Sequence, residues 1–385
     1  MEKGWFKMSE TVPAQMMQMF STVTAEGELE LALRQVPVRE PGEDEVLVRV
    51  EATPINPSDL GVMLTVADPQ TLRPTAGDAP GAVATIPEAM RRAVAARVGT
   101  SIPVGNEGAG TVVKAGASAE AQALMGRVVA LSGGGMYAGY RLAKARDCNP
   151  MPDGIAPEQA ASAYVNPLTA LGMVGTMRLD GFKGLIHTAA ASNLGQMLVK
   201  LCASEGVPLV NIVRSAEQVA ILKELGAEHV CNSSEPDFHT KLVAAIEATQ
   251  AYLAFDAIGG GRLANQILTA MEQAAVKSHP VTGPYGSTQM KQVYIYGGLS
   301  TAPTEITRGV GMKWAVGGFL LTYFLERVGA EETKRLRAKV AAEITTTFAS
   351  AYTRRIGLAE AVRPEVIQAY QRKSTGEKYL VTPQA

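Results

Sequence analysis

Residues Gly184–Gly206 read GLIHTAAASNLGQMLVKLCASEG, and the reading of this stretch decides the fold. The opening GLIHT (Gly184–Thr188) is a short apolar run with the length of a buried strand. Behind it Leu194, Met197, Leu198, Leu201 and Cys202 recur at i, i+3, i+4, i+7 and i+8, the apolar stripe of a helix. Between strand and helix stands only a run of small residues. A turn that holds a dinucleotide needs such residues, so that backbone can approach a pyrophosphate, and a final glycine where helix meets strand. The three slots of a G-x-G-x-x-G pattern hold Ala190, Ser192 and Gly195 here. Only the last is glycine, yet alanine and serine are small, and a helix start offers N–H groups to an anion. A plain tight strand–helix turn would carry much the same residues, so the weight moves to the surroundings.

Downstream, PLVNIV reads as a second strand and ends at Arg214. In a dinucleotide fold this is where the adenosine ribose sits. An acidic residue there accepts from the 2′-hydroxyl, whereas an arginine pairs with a 2′-phosphate. NIVRSA offers no Asp or Glu before Glu217, so NADPH is the expected cofactor; the bland alternative is a solvated arginine at a strand end. A helix AEQVAILKELG and further strands at AYLAFD and VYIYGG follow. Strand–helix alternation at this pace predicts a doubly wound parallel sheet. The earlier chain differs. From about Met16, bursts such as LELAL and VLVRV alternate with period two between EGE and REPGEDE turns, the pattern of antiparallel strands. GTVVKAG and GRVVALSGGG continue it, so the first part of the chain reads as a β-rich domain. A tail, EKYLVTP, reads as a last strand that returns to that domain. Two connections are long, residues 65–100, with a short helix in PEAMRRAVAARVG, and the loop Ser278–Ser287. Long connections in compact folds serve as lids or carry disorder, and a lid is the functional reading of the first.

The chain has 385 residues, enough for two domains. Lys plus Arg number 36 against 37 Asp plus Glu, so no basic field points to nucleic acid or acidic lipid, and a small-molecule substrate is expected. Cys148, Cys202 and Cys231 form no C-x-x-C pair, which argues against a structural zinc lobe and a disulfide framework. The N-terminal MEKGWFKMSETVPAQ lacks an apolar core segment, and the most apolar run, Trp314–Leu325, is too short to cross a bilayer. A cytoplasmic enzyme without a membrane association is the expectation.

Several segments together resemble the zinc-independent branch of the medium-chain dehydrogenase/reductase superfamily. They are INPSD (Ile55–Asp59), GNEGAGTV (Gly105–Val112), NPLTA (Asn166–Ala170), AAASNLGQ (Ala189–Gln196), NIVR with KELGAEHV behind it, FDAIGG (Phe255–Gly260) and YGGLS (Tyr296–Ser300). Their order and spacing are similar to quinone oxidoreductases and to NADPH-dependent enoyl-thioester reductases. The resemblance implies an α/β chain of two parts. Residues 1–160 and 335–385 would form a GroES-like β-rich domain, and residues 161–334 a Rossmann doubly wound parallel-sheet domain, with the active site in the cleft between them and a homodimeric assembly. It also implies roles. Asn56 would lie near nicotinamide and substrate and Thr169 beside the cofactor. Ala190, Ser192, Asn193, Leu194 and Gly195 would cradle the phosphates, with Arg214 on the 2′-phosphate and Asn232 near the adenosine. Gly297, Gly298 and Lys378 would pass the cofactor. For Asn56 the structural alternative is an Asx turn ahead of Pro57.

The departures from that pattern are informative. Zinc-dependent relatives place a cysteine in the loop matching INPSD and a histidine in the turn matching GNEG; this chain has Pro57 and its neighbours in the first and Asn106 in the second. Its histidines, His187, His229, His239 and His279, fall outside the first domain and form no spaced cluster, so no catalytic metal is expected. Without a Lewis acid, alcohol oxidation is difficult, whereas an already electrophilic quinone or conjugated C=C accepts hydride directly. Many relatives carry a tyrosine soon after the segment matching INPSD. Here no tyrosine precedes Tyr137, which with Tyr140 becomes the candidate proton donor, a strand role being the alternative. The leading expectation is a zinc-free NADPH-dependent reductase of quinones or α,β-unsaturated carbonyl compounds. An enoyl-thioester reductase acting on acyl-CoA or acyl-carrier substrates is the first alternative, with Arg91, Arg92 and Arg97 as a basic rim. A non-catalytic NADPH-binding structural or sensor protein is the second.

Overall fold

The alternation of LELAL becomes the strand Glu28–Pro37, in which Leu29, Leu31 and Leu33 are buried while Glu28 and Glu30 lie at the surface side. It pairs antiparallel with Gln15–Val23, in register from Gln15↔Pro37 to Val23↔Leu29. The reversal is short and needs Gly27 at φ +81°, a left-handed backbone that suits glycine. The structure, a computed structural model, describes residues 11–76, 79–278, 283–372 and 377–385. His279, the N-terminal MEKGWFKMSE and the centre of the Ser278–Ser287 loop lie outside the described residues.

The chain divides into two units. The first comprises Met1–Val165, Ala341–Thr345 and Ala349–Ala385. It holds a five-stranded sheet in the order Arg73–Pro74, Gly81–Thr85, Glu28–Pro37, Gln15–Val23, Ser101–Pro103. Residues 65–100, read from sequence as a lid, are instead partly woven into this sheet: Gly81–Thr85 runs antiparallel to Glu28–Pro37, from Glu28↔Thr85 to Ala32↔Gly81. The expected helix shrinks to Glu88–Arg91 followed by a 3₁₀ turn over Arg92–Arg97. A second sheet is centred on Glu45–Pro54, flanked by Glu107–Ala115 and Tyr379–Val381, with Tyr140–Lys144 also paired to it. GTVVKAG and GRVVALSGGG contribute the strands Glu107–Ala115 and Val128–Ser132. The tail pairs through Leu380↔Pro54 and Val381↔Thr53, so the last strand closes on the third.

The second unit comprises Asn166–Val340 and Thr346–Phe348. Its six strands run in the order His229–Asn232, Leu209–Val213, Leu185–His187, Leu253–Asp256, Lys291–Ile295, Trp314–Gly318, and every neighbouring pair is parallel. The strand order reverses beside Leu185–His187, which makes the end of that strand the topological switch point of the sheet. Parallel strands are buried on both faces, and Leu209–Val213 is buried along its whole length. Ile186, Val210, Ile212, Ala254 and Val293 of the sheet pack with Leu242, Ile246, Ile267 and Met271 of the helices Phe238–Thr249 and Leu263–Ser278. Fully burying each such aliphatic side chain contributes roughly 1.5–3 kcal/mol. The apolar run at Trp314 forms the edge strand and leads into the helix Leu321–Ala342, which Gly329 interrupts at φ 80°. Among the described residues no helix is long and apolar enough to cross a membrane.

Candidate active site

Within the second unit the quoted stretch folds as a strand Leu185–His187, a turn, and a helix Asn193–Glu205. Ser192 is the helix N-cap, its hydroxyl accepting the Gly195 N–H at 3.2 Å. A Cβ on Gly195 would lie 2.1 Å from the Ala190 carbonyl oxygen and 2.5 Å from its carbon. Helix and turn therefore touch backbone to backbone, and only glycine fits. Ala190 and Ser192 face no such constraint, which explains a motif that keeps one glycine of three. Ala189 takes up the turn's strain with φ +50°. The neighbouring crossover is tied down by Asp256: Thr188 Oγ1 donates to its Oδ1 at 2.7 Å, and the Ile258 and Gly259 N–H groups donate to the same carboxylate.

Of the other expected cofactor residues of this unit, Arg214, Asn232, Gly297 and Gly298 lie at the carboxyl ends of strands. Arg214 follows Leu209–Val213 and is exposed, with no ion pair to its guanidinium among the described residues. Its backbone is anchored at both ends, the N–H to Gln218 Oε1 at 3.0 Å and the carbonyl to Ser234 Oγ at 2.8 Å. Asn232 ends the adjacent strand, opposite Val213, and its Oδ1 accepts from the Ser234 N–H at 3.1 Å. Ser234 thus links Arg214 and Asn232, a connection without a sequence signal. Gly297 lies against Ala257, where a Cβ would meet the Ala257 oxygen at 2.5 Å; Gly298 faces open space. Asn193 and Leu194 begin the helix Asn193–Glu205, and Thr169 is buried on the helix Val165–Leu179. His187 is wholly buried, its Nε2 2.7 Å from the Tyr296 hydroxyl and its Nδ1 without a partner. Burial pushes its pKa down to about 3, so the ring is neutral.

Asn56, Tyr137 and Lys378 belong to the first unit, in a buried polar cluster. Asn56 caps the helix Pro57–Met63, its N–H donating to Asp59 Oδ2 at 2.8 Å. Its side chain turns away from the helix, and Nδ2 donates to Glu107 Oε1 at 2.7 Å. The other Glu107 oxygen accepts the Tyr164 and Val165 N–H groups, both at 2.9 Å. Asp59 Oδ1 accepts the Asn106 N–H at 2.7 Å, and Asn106 Nδ2 reaches Ser58 Oγ at 3.1 Å. Asn106 therefore joins the turn to the helix start. Desolvation raises the Asp59 carboxyl to about 7 despite its two N–H donors, and it raises Glu107 as well, against the pull of Lys378.

Tyr137, the sequence candidate for proton donor, is wholly buried and its hydroxyl donates to the Pro54 carbonyl at 3.1 Å. A phenol so enclosed meets no substrate in this conformation; its contacts hold the wall behind Asp59. Lys378 carries its ammonium to Ser162 Oγ at 2.8 Å and Ser350 Oγ at 3.4 Å. Ser162 Oγ is also 2.9 Å from the Tyr352 hydroxyl, whose ring lies 5.3 Å from the ammonium. Burial lowers Lys378 to about 8. Ser162 and Tyr352 were invisible in the sequence, because nothing local marks two hydroxyls so far apart in the chain as partners. Among the described residues no group of three or more His, Cys, Asp or Glu side chains is arranged to hold a metal ion.

Comparison with known proteins places this arrangement. Residues 42–153 match the family model described as alcohol dehydrogenase GroES-like domain, and residues 194–291 match the one described as zinc-binding dehydrogenase. The chain belongs to the medium-chain dehydrogenase/reductase superfamily of oxidoreductases. Within it, the chain falls in the branch of the quinone oxidoreductases and enoyl reductases. It is 27% identical over 357 residues to prostaglandin reductase-3 of Bos taurus, covering 91% of this chain and 84% of that protein. It is 25% identical over 279 residues to the mitochondrial enoyl-[acyl-carrier-protein] reductase of Xenopus tropicalis, covering 69% and 72%. A solved structure from Mesorhizobium loti, described as a candidate NADPH:quinone reductase, superposes with a TM-score of 0.71 at 26% identity, covering 97% of this chain and all of that one. A GroES-like part and a Rossmann parallel-sheet part are thus the architecture of the chain.

Proposed function

We propose that the protein is an NADPH-dependent reductase that passes hydride to a quinone or an α,β-unsaturated carbonyl compound. The observation that carries this reading is the carboxyl edge of the parallel sheet. There Gly195 permits backbone contact at a helix start, and Arg214 directly follows the next strand with no carboxylate paired to it among the described residues. A helix start packed tight on a small-residue turn suits a pyrophosphate, and an arginine without an ion pair among the described residues suits a 2′-phosphate. The designation of the Mesorhizobium loti structure supports this cofactor and acceptor class, and the name of the bovine relative supports a reductase.

When bound, NADPH supplies the hydride. The chain's own residues do the rest. Ser192, Asn193, Leu194 and Gly195 present the helix start to the phosphates, with Ala190 as the small residue beneath them. Arg214 pairs with the 2′-phosphate, and Asn232 stiffens its neighbourhood through Ser234. Gly297 and Gly298 let backbone pass close to the dinucleotide, and Thr169 orients its nicotinamide end. Asn56, held by Glu107, offers its amide to nicotinamide or substrate. Tyr137 acts as a positioning residue behind Asp59. The reaction calls for position and hydrogen bonds toward developing oxyanion charge.

An acyl-thioester acceptor is the second reading, favoured by the likeness to the enoyl-[acyl-carrier-protein] reductases. Of the basic rim expected for it, Arg91 and Arg92 are exposed, but Arg97 turns inward to Ser21 Oγ at 3.1 Å and the Val62 carbonyl at 3.4 Å. A homodimer is carried as part of the proposal. The edge strand Trp314–Gly318 has one unpaired side, and Met312, Leu320 and Tyr323 beside it are exposed. Following NADPH oxidation with a panel of quinones, enones and crotonyl thioesters tests the whole reading. Turnover on none of them, with NADPH still bound tightly, would instead support a sensor.

A further inference from the structure

Hydride addition to a conjugated C=C leaves an enolate, and the product forms only when a proton reaches the α carbon. In the first unit one chain of contacts has the chemistry to deliver it. Lys378, an ammonium with donors only, points at Ser162 Oγ at 2.8 Å. Ser162 Oγ then has its own hydrogen left for the Tyr352 oxygen at 2.9 Å, so the phenol's O–H is directed away from Ser162. Ser350 Oγ stands 3.4 Å from the ammonium and also bonds the phenol, steadying both ends. The Tyr352 ring packs on Ala52, Ala161 and Leu380 and is partly buried, whereas Ser162 is wholly buried. Ser162, the wholly buried member, can only relay, and Tyr352, the less buried one, is the member of the pair nearer a ligand. On its other side Lys378 senses the charge of Glu107, which holds the Asn56 amide at 2.7 Å. The relay and Asn56 thus share one polar cluster.

Resting on the reductase reading above, we propose that Tyr352, supplied through Ser162 from Lys378, is the proton donor for reduction of α,β-unsaturated carbonyl substrates. The hydride brings both electrons to the β carbon and the charge collects on the carbonyl oxygen. The Tyr352 O–H bond breaks as a C–H bond forms at the α carbon. The phenolate takes the Ser162 hydrogen, Ser162 takes one from the Lys378 ammonium, and the neutral amine regains its proton from water. A quinone makes a smaller demand, because its reduced oxygens take protons from solvent.

The test compares wild type with Tyr352→Phe and Ser162→Ala, using NADPH with a simple enone and with a quinone. Tyr352→Phe is expected to lower kcat for the enone at least tenfold more than for the quinone. The wild-type enone rate is expected to fall as pH rises through the Lys378 titration, near 8. A second readout needs no turnover. The pH midpoint for amine-reagent labelling of Lys378, followed by peptide mass in the free protein, should move in Ser162→Ala, because the hydroxyl that accepts from the ammonium is gone. Equal losses for enone and quinone, or a midpoint unmoved by Ser162→Ala, would overturn the relay. If wild type oxidises NADPH with neither the enone nor the quinone, the reductase reading itself fails, and the relay falls with it. If Tyr352→Phe does not fold, the Ser162→Ala rates and the labelling midpoint decide the question.

Discussion

Adding one methyl group at Gly195 tests the logic of the phosphate turn. In Gly195→Ala the new Cβ would sit 2.1 Å from the Ala190 oxygen, 2.5 Å from its carbon and 2.7 Å from its Cα. All three are backbone atoms, so no side chain can swing aside. Reaching ordinary contact requires the helix start to back away from the turn by about 1 Å, in the range of rearrangement that overpacking imposes at roughly 1–3 kcal/mol. Alanine recovers up to about 1 kcal/mol of helix propensity over glycine. The same shift strains the Ser192–Gly195 cap bond of 3.2 Å. The net expectation is destabilisation by about 1–2 kcal/mol, a fall in Tm of about 2–8 °C for a unit of this size. Because the helix start also faces the proposed pyrophosphate, NADPH should bind at least about tenfold more weakly, each 1.4 kcal/mol being a factor of ten. Gly61→Ala is the control, since nothing lies within 4 Å of the Cβ it would add and it stands outside the proposed cofactor site. Differential scanning calorimetry and fluorescence titration with NADPH measure both effects. A Gly195→Ala protein with wild-type Tm and wild-type NADPH affinity would falsify the reading of this turn.

Arg214→Ala should weaken NADPH by about 1.5–3 kcal/mol, the worth of a charge-assisted bond, while NADH changes little; equal losses for the two cofactors would remove the 2′-phosphate assignment. His187 is buried neutral with its pKa pushed down to about 3. As pH falls from about 6.5 toward 3 the unfolded chain gains a proton that the native ring refuses, so stability drops by up to about 1.4 kcal/mol per pH unit in that window. In urea titrations across pH 3–7 His187→Gln should flatten the slope, and an unchanged slope would rule His187 out as its source. Lys291 is wholly buried on Glu272 at 2.5 Å, with Ser287 Oγ also on the carboxylate at 2.6 Å. Lys291→Met leaves that carboxylate without its cation and should cost about 3–5 kcal/mol in urea unfolding; a loss under 1 kcal/mol would show that Ser287 and its N–H suffice.

The two polar centres were legible to different degrees, and the difference is one of distance along the chain. Gly195, Ser192 and the helical stripe sit within one short segment, Ser192–Cys202, so steric demand and capping leave a local trace. The position of Arg214 at the end of the second strand was legible because strand length and crossover length set that spacing. Asn56 was legible only through resemblance, and its partner Glu107 lies 51 residues away. Tyr137 shows the opposite failure. Its residue type suited a proton donor, but the fold buries its ring in the first unit's core, and the sequence carries no measure of that. Residues 65–100 read as a loose connection because a strand as short as Gly81–Thr85 has too few residues to show a period.

By itself, then, the amino-acid sequence determined the period-two β-rich part, the strand–helix alternation of the parallel sheet, and the tight strand–helix turn with its one obligatory glycine. These follow from backbone geometry acting over fewer than about twenty residues. Only the tertiary structure decided which polar groups meet. It brought Lys378 to Ser162 across 216 positions and Tyr352 to Ser162 across 190, and it turned Asn106 onto Asp59 and Ser58. Such pairings arise where buried donors and acceptors must be satisfied after the sheets have closed. The requirement falls on the folded interior, and no spacing along the chain encodes it.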